Sequence, residues 1–193
     1  MLLLKNVFII KPFAPIEVTP ADIFINHDGF IEKIGQNLTA PKSSQIFDQS
    51  GSHVSLGLMD FGTQTGDPGF EHREDLNSAA HAAMSGGFTT IAPFPNNDPV
   101  MHTKTEVLYL KNKTKSYLVD FQPIGALSTD CHGKDIAELL DMHHAGAVAF
   151  SDGKNSTQDS GLILRGLQYA KIFVWFDYQF ALQQKYCASR TGA

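Results

Sequence analysis

The sequence predicts an α/β fold in which parallel strands, joined by crossover helices, close into a barrel or lie in an open sheet, with a small β module in front. Three observations carry this. After Gly57 short apolar runs alternate with stretches of helical periodicity in a repeated order of strand, loop and helix. Before that point the chain holds only short apolar runs between turn residues. The composition, 42% hydrophobic and 18% charged over 193 residues, suits an ordinary globular chain and excludes a disordered or collagen-like one.

Residues 1–54 form the β module. Val7-Phe8-Ile9-Ile10, Ile23-Phe24-Ile25 and Phe30 to Ile34 are its strand candidates, and Asn26-His27-Asp28-Gly29 reads as a hairpin turn whose Asp28 and Gly29 take positive φ. The opening Met1-Leu2-Leu3-Leu4 is interrupted by Lys5 and Asn6 too early for a signal-peptide core, and no stretch reaches membrane-spanning length, so a soluble chain is expected.

Residues 55–173 carry the alternating pattern. Leu56 to Phe61 is the first strand, and Leu76, Ala79, Ala80, Ala83 and Met84 make one helical face that Gly86-Gly87 ends. Phe88 to Phe94 is the second strand, closed by Pro95 to Pro99. Thr103 to Glu106 has capping-box spacing for the next helix. Tyr117 to Leu127 is a third strand, Ile136, Leu139 and Leu140 mark a helix running to Ala145-Gly146, Ala147 to Phe150 is a fourth strand, and a last helix spans Ser160 to Phe173. A complete eight-stranded barrel takes about 250 residues, and roughly 120 are available here, so at most half a barrel is encoded.

Charge and cysteine content narrow the function. Fifteen Lys and Arg against twenty Asp and Glu give a net charge of −5 with no basic stripe, which removes nucleic acid as a partner. Cys131 and Cys187 lie far apart in no metal-type spacing, which fits a reducing, cytoplasmic setting without structural disulfides.

The densest chemical signal runs from Leu58 to Asp75, where a first barrel strand would end and such folds place their chemistry. Together with Gly86-Gly87-Phe88-Thr89-Thr90, Phe94 to Val100, Pro123 to Leu127 and Gly146 to Gly153, it resembles the dihydroorotases of the amidohydrolase superfamily, in order and spacing, from the first residues to about Phe173. The resemblance implies an incomplete (β/α)8 barrel behind a composite β-sandwich segment. It also implies a zinc-dependent family that hydrolyses the cyclic amide of dihydroorotate, an oligomeric parent, and a place in pyrimidine biosynthesis.

In that family the first strand ends in Asp-x-His-x-His-x-Arg. Alternate strand residues share a side, so the two His grip one ion, the ion activates a water, and the Arg clamps the substrate carboxylate. Here Asp60 is kept, Gly62 and Gln64 stand at the His positions, and Gly66 stands at the Arg position. Gly62 offers no donor atom and Gln64 only a neutral amide oxygen, so no zinc and no catalytic residue are expected. Asn96 matches the family's substrate-contacting Asn, and Asp152 matches a metal-ligating carboxylate and is a weak metal candidate. Each also suits an ordinary turn.

Other candidates have plainer roles. His143-His144 sits at a helix end where a cation suits the dipole. Glu71 to Asp75 is a charged helix start, Asp67-Pro68-Gly69 is a turn, Cys131-His132 lies in a solvated loop, and Ser151 to Lys154 lacks the glycines of a phosphate loop.

Residues 174–193 break the pattern, with Trp175, Phe176 and Tyr178 in no clear period. Reading the codons for residues 175–181 one base later permits Gly-Leu-Ile-Ile-Asn-Leu-Pro, a plausible fifth strand, so a frameshifted tail is one expectation. Three functional readings compete. The chain is a non-catalytic dihydroorotase homologue whose parent serves as a partner of aspartate transcarbamoylase; it is an active hydrolase interconverting dihydroorotate and N-carbamoyl-aspartate; or it is a truncated fragment without activity.

Overall fold

The computed structural model describes residues 1–10 and 19–172, which divide into two units, Met1–Leu56 and the residues from Gly57 onward. The expectations for residues 174–193, including the tail aromatics, Cys187 and the frameshift, lie outside the described residues, as does Phe173.

The first unit is a sheet built on β1 (Leu2–Ile9). β2 (Ala21–Ile25) pairs with it antiparallel, and β3 (Ile31–Gly35) pairs antiparallel with β2. β4 (Gln45–Asp48) and β5 (His53–Val54) pair with β1 in parallel. Leu3, Val7, Ile23 and Phe24 are its buried apolar residues. Asn6, at φ 61°, sits where the β1–β2 register shifts, so the polar residue that interrupts the opening apolar run forms an irregularity within one strand. The buried Asp22 accepts from the backbone N–H groups of Asn6 and Leu38, at 3.0 and 2.9 Å. The hairpin forms as expected, with one correction. Gly29 alone has positive φ, and the Asn26 side chain closes the turn by accepting from the N–H groups of Asp28 and Phe30.

The second unit alternates strand and helix. β6 (Leu58–Thr63), β7 (Phe88–Pro93) and β8 (Asp120–Phe121) form one parallel sheet, and β9 (Ile124–Gly125) pairs in parallel with β10 (Ala149–Phe150). β8 and β9 are halves of one strand position. The Gln122 N–H still donates to Ile91 O on β7, whereas Pro123 has no N–H and its carbonyl accepts from Val148 on the other side. The apolar run Tyr117 to Leu127 is therefore two short pieces rather than one long strand. The result is four parallel strand positions in chain order.

Helix α1 (Leu76–Ser85) starts at Asp75, whose side chain accepts from the Ser78 N–H at 2.7 Å. Helix α2 (Lys104–Thr114) has the capping box foreseen at Thr103 and Glu106. Helix α3 (Leu139–Ala145) carries His143 and His144 in its last turn and ends on Gly146 in the left-handed region. It starts later than the Ile136 periodicity suggests. Residues 135–137 are held instead by backbone pairing to 127–129, with Ala137 N–H donating to Leu127 O and Thr129 N–H to Asp135 O. Helix α4 spans Ser160–Ala170. Among the described residues no helix is long and apolar enough to cross a membrane.

Packing divides the strands between two clusters. Ile91, Phe121 and Phe150 join Leu76, Val107, Leu110, Leu139 and Met142 in the larger core against the helices. Ala92, Ile124 and Ala149 form a second cluster, against which Phe61, Phe94 and Val148 pack. Neighbouring residues of one strand thus serve different layers, as parallel strands covered by helices require.

Candidate functional site

The loops that follow β6, β7, β9 and β10 bring most of the sequence-predicted residues together. β6 does not hold its alternation to the end. Its register on β7 shifts between Phe61, opposite Ala92, and Thr63, opposite Pro93, and Gly62 occupies the irregularity at φ 106°. The expectation that residues 62 and 64 share a strand side assumed unbroken alternation. The strand bulges at the first of these positions and ends before the second.

Around Gly62 the space is taken. A Cβ built there would lie 2.7 Å from Phe94 Cζ and 2.9 Å from Cε2. Gly66 is closed off as firmly by backbone, since a Cβ would collide with Phe70 O and lie 2.6 Å from Glu74 O. Gly66 N–H donates to Glu74 O and Gly66 O accepts from Phe70 N–H, which rolls residues 66–74 into a loop around the glycine. Any side chain at residue 66 would have to unroll it.

That loop is tied down from two directions. Asn97 Nδ2 donates to Asp67 O at 2.9 Å, and Asp98 N–H donates to Pro68 O. The Asp67 carboxylate, 1% exposed, accepts from Lys113 Nζ at 2.6 Å and from the Tyr109 hydroxyl at 2.9 Å, both on α2. The hydrogen bond to Asp67, then the one to Tyr109, raise the Lys113 pKa and keep it cationic. Asp67-Pro68-Gly69 is the turn foreseen, but the Asp67 ion pair was not visible in the sequence. The i,i+4 spacing of Tyr109 and Lys113 signals that those two share a helix face, while nothing local signals a carboxylate 46 residues from Lys113.

Asn96 and Asp152 meet. Asn96 Nδ2 donates to Asp152 O and its Oδ1 accepts from the Lys154 N–H, both at 3.0 Å. Its amide therefore bridges the loops after β7 and β10. Gly153, at φ 57°, passes so close that a Cβ there would lie 2.9 Å from Asn96 Cγ. The buried Asp152 carboxylate accepts from Ser128 N–H (2.8 Å), Ser128 Oγ (2.7 Å) and Thr157 Oγ1 (2.8 Å). These bonds fasten the loop after β9 to the loop after β10.

Cys131 requires a correction. The solvated loop expected for Cys131-His132 is a 3-10 turn, Thr129–Cys131, in which Asp130 and Cys131 have positive φ and Cys131 is 3% exposed. Burial, followed by the charges of Asp152 and Asp130, pushes its thiol up to about 12. It is a protonated core residue and no nucleophile.

The donor set does not suit a zinc ion. Gly62 has no donor and faces the Phe94 ring, and the Asp152 carboxylate already accepts from two hydroxyls and an N–H. No group of three or more His, Cys, Asp or Glu able to hold a metal ion occurs among the described residues. What the mouth does contain is a cavity of about 550 Å3 whose walls include Gln64, Thr65, Phe70, Arg73, Asn96 and Lys154.

Four parallel strands with crossover helices and a mouth built by the strand-end loops define the first half of an amidohydrolase-type (β/α)8 barrel. Solved structures agree on the fold. L-hydantoinase from Arthrobacter aurescens superposes with a TM-score of 0.72 at 24% identity over 89% of this chain and 38% of that one. D-hydantoinase from Thermus sp. gives 0.60 at 23% identity over 98% and 43%. A family model described as dihydro-orotase-like matches residues 52–178. The chain belongs to that dihydroorotase-like family. Dihydroorotases similar to it include those of Citrifermentans bemidjiense, 38% identical over 171 residues, and Acetivibrio thermocellus, 39% identical over 153 residues. These alignments cover 88% and 79% of this chain but 40% and 35% of the relatives, so the chain spans about 40% of their length.

Proposed function

We propose that this chain is part of a non-catalytic dihydroorotase homologue, a cytoplasmic protein that keeps the family fold and serves pyrimidine biosynthesis as a partner of aspartate transcarbamoylase within an oligomer. The observation that supports this best is the filled space at Gly62. The missing ligand is accompanied by a bulge and by an aromatic ring where its side chain would go, and Gly66 is enclosed by its own loop. Hydrolysis of a cyclic amide needs an activated water and a clamped substrate, and Gly62 offers no ligand for the ion that activates the water while Gly66 offers no cation for the substrate carboxylate. The retained polar groups work as fasteners. Asn96 and Asp152 join the loops of three strand positions, which preserves the shape of the mouth without requiring chemistry there.

The test is an assay of the purified chain, and of the longest product of its gene, for hydrolysis of dihydroorotate and cyclisation of N-carbamoyl-aspartate, with zinc supplied and metal content measured. No turnover and no near-stoichiometric zinc are expected. Turnover with bound zinc would overturn the reading in favour of the active hydrolase. Co-purification with aspartate transcarbamoylase tests the partner separately, and sequencing the gene through codon 174 tests the frameshifted tail.

A further inference from the structure

We propose that His102 and Asp130 form a proton-operated latch between the loops after β7 and β9. The neutral His102 ring holds the backbone of the Thr129–Cys131 turn, and the protonated ring lets that backbone go and takes the Asp130 carboxylate instead. The latch stands apart from the non-catalytic reading, since it needs neither a ligand nor a reaction in the mouth.

Two groups of Asp130 compete for one ring atom. Its backbone N–H donates to His102 Nδ1 at 3.2 Å, and its Oδ1 lies 3.0 Å from the same nitrogen. In the neutral ring with its proton on Nε2, Nδ1 accepts from the N–H and meets the carboxylate oxygen lone pair against lone pair. Once Nδ1 carries a proton the match reverses. Nδ1–H then donates to Oδ1 as a charge-assisted bond, and the backbone N–H faces another donor. One proton therefore exchanges the backbone contact for the carboxylate contact. It comes from solvent, which reaches the pair because the His102 side chain is 24% and the Asp130 side chain 50% exposed. Histidine is the side chain whose charge changes between roughly pH 5 and 8.

Among the described residues Asp130 is the ring's ion-pair partner. In the loop and helix start that carry His102 the other charged groups are Asp98, Lys104 and Glu106, and Glu106 is occupied by the Thr103 N–H and hydroxyl. Around the turn they are His132, Lys134 and Asp135, beside the protonated Cys131. The Asp152 carboxylate, whose charge reaches Cys131, accepts from Ser128 and Thr157. His102 also sits one residue before the Thr103 N-cap of α2, where the helix dipole disfavours a cation, so the imidazolium relies on the Asp130 carboxylate.

The turn has something to release. Asp130 and Cys131, at φ 54° and 56°, are non-glycine residues in the left-handed region, a conformation that persists only where neighbours hold it. Cys131 N–H donates to Ser128 O within the turn, and Asn155 Nδ2 donates to Cys131 O from the loop after β10. Loss of the His102 contact therefore frees the Asp130 backbone first and loosens the cover of the buried Cys131 thiol.

The experiment measures hydrogen exchange of the Asp130 amide by NMR in the full chain, as a protection factor corrected for the intrinsic pH dependence of exchange, at about pH 8 and about pH 5. Protection is expected to fall at least about tenfold at the lower pH while amides inside α2 keep theirs. His102→Asn keeps a side-chain acceptor near the Nδ1 position but does not titrate, so its protection should change less than about twofold. Asp130→Asn suits left-handed backbone and should move the midpoint of the change to lower pH, because a neutral amide attracts the imidazolium less. As a second readout, 4,4′-dithiodipyridine labels Cys131 in a Cys187→Ser background. Its rate, divided by the rate in urea at the same pH, should rise at least about threefold from pH 8 to pH 5 with His102 in place and stay level in His102→Asn. Thermal midpoints are measured alongside, and the parent's own pH comparison stands even where a variant fails to fold. The inference is overturned by equal Asp130 protection at the two pH values, by a loss that α2 shares, by a fall that His102→Asn retains, by a midpoint that Asp130→Asn leaves in place, or by a level labelling ratio.

Discussion

Gly62 shows how one residue can decide a site twice. It removes a donor atom, and its φ of 106° sets a bulge into which the Phe94 ring packs. Gly62→His should therefore destabilise the fold by about 2 kcal/mol or more, from left-handed backbone strain and overpacking together. Gly62→His with Phe94→Ala should recover part of that loss in a urea denaturation series without creating turnover. A strictly additive pair would show that the ring and the glycine are uncoupled. Cys131 gives a residue-scale pH prediction. Its thiol pKa, raised from 9.0 to about 12, means the folded state holds the proton more tightly than the unfolded chain. The resulting stability is fully present below about pH 9 and is lost as pH rises from there towards 12. At pH 8 iodoacetamide should label Cys131 at least tenfold more slowly in the folded protein than in urea, read by mass mapping of the peptide that contains it.

At the scale of elements, the loop after β6 and helix α2 act as one piece through Asp67, Lys113 and Tyr109. Asp67→Asn leaves the ammonium facing a neutral amide. The Lys113 side chain is 40% exposed and can reach water, so the expected loss is about 1–2 kcal/mol, below that for a fully buried pair. The sign of the pH dependence follows from the raised Lys113 pKa. The pair's contribution is whole below the ordinary lysine value of about 10.4 and disappears as pH climbs through the folded value. Thermal melts of the parent at pH 7 and 11 should differ more than those of Asp67→Asn, and equal differences would remove the pair from the ledger of stabilising contacts. Much at this scale was legible in sequence. The Thr103–Glu106 capping box, the Asp75 helix start and the Gly146 helix end depend on residues within a few positions of one another. The apolar run around Pro123 suggests a longer strand than forms, because apolar content alone does not show which backbone groups find partners.

For the whole molecule, the apolar edge of β6 matters most. Leu58 and Met59 are 52% and 51% exposed on a strand that, among the described residues, pairs with β7 alone. An apolar strand edge of this kind recruits other chains. Leu58→Lys combined with Met59→Lys should reduce concentration-dependent association, measured by light scattering across a dilution series, without lowering the thermal midpoint by more than a few degrees. Unchanged association would place the sticky surface elsewhere, for example on the first unit, where Ile31, Ile34 and Ile46 are exposed.

The sequence by itself determined the class of fold, the alternation of strands and helices after Gly57, the family, and the absence of donor atoms at Gly62 and Gly66. Each of these is written in residue identity or short-range periodicity. Only the tertiary structure decided that Phe94 fills the space beside Gly62, that Asn96 and Asp152 work as fasteners, that Cys131 is buried, and that Arg73 and Lys154 share a cavity. These facts join residues that lie tens of positions apart, and such contacts depend on how the parallel strands register and where their loops close, which no local pattern encodes.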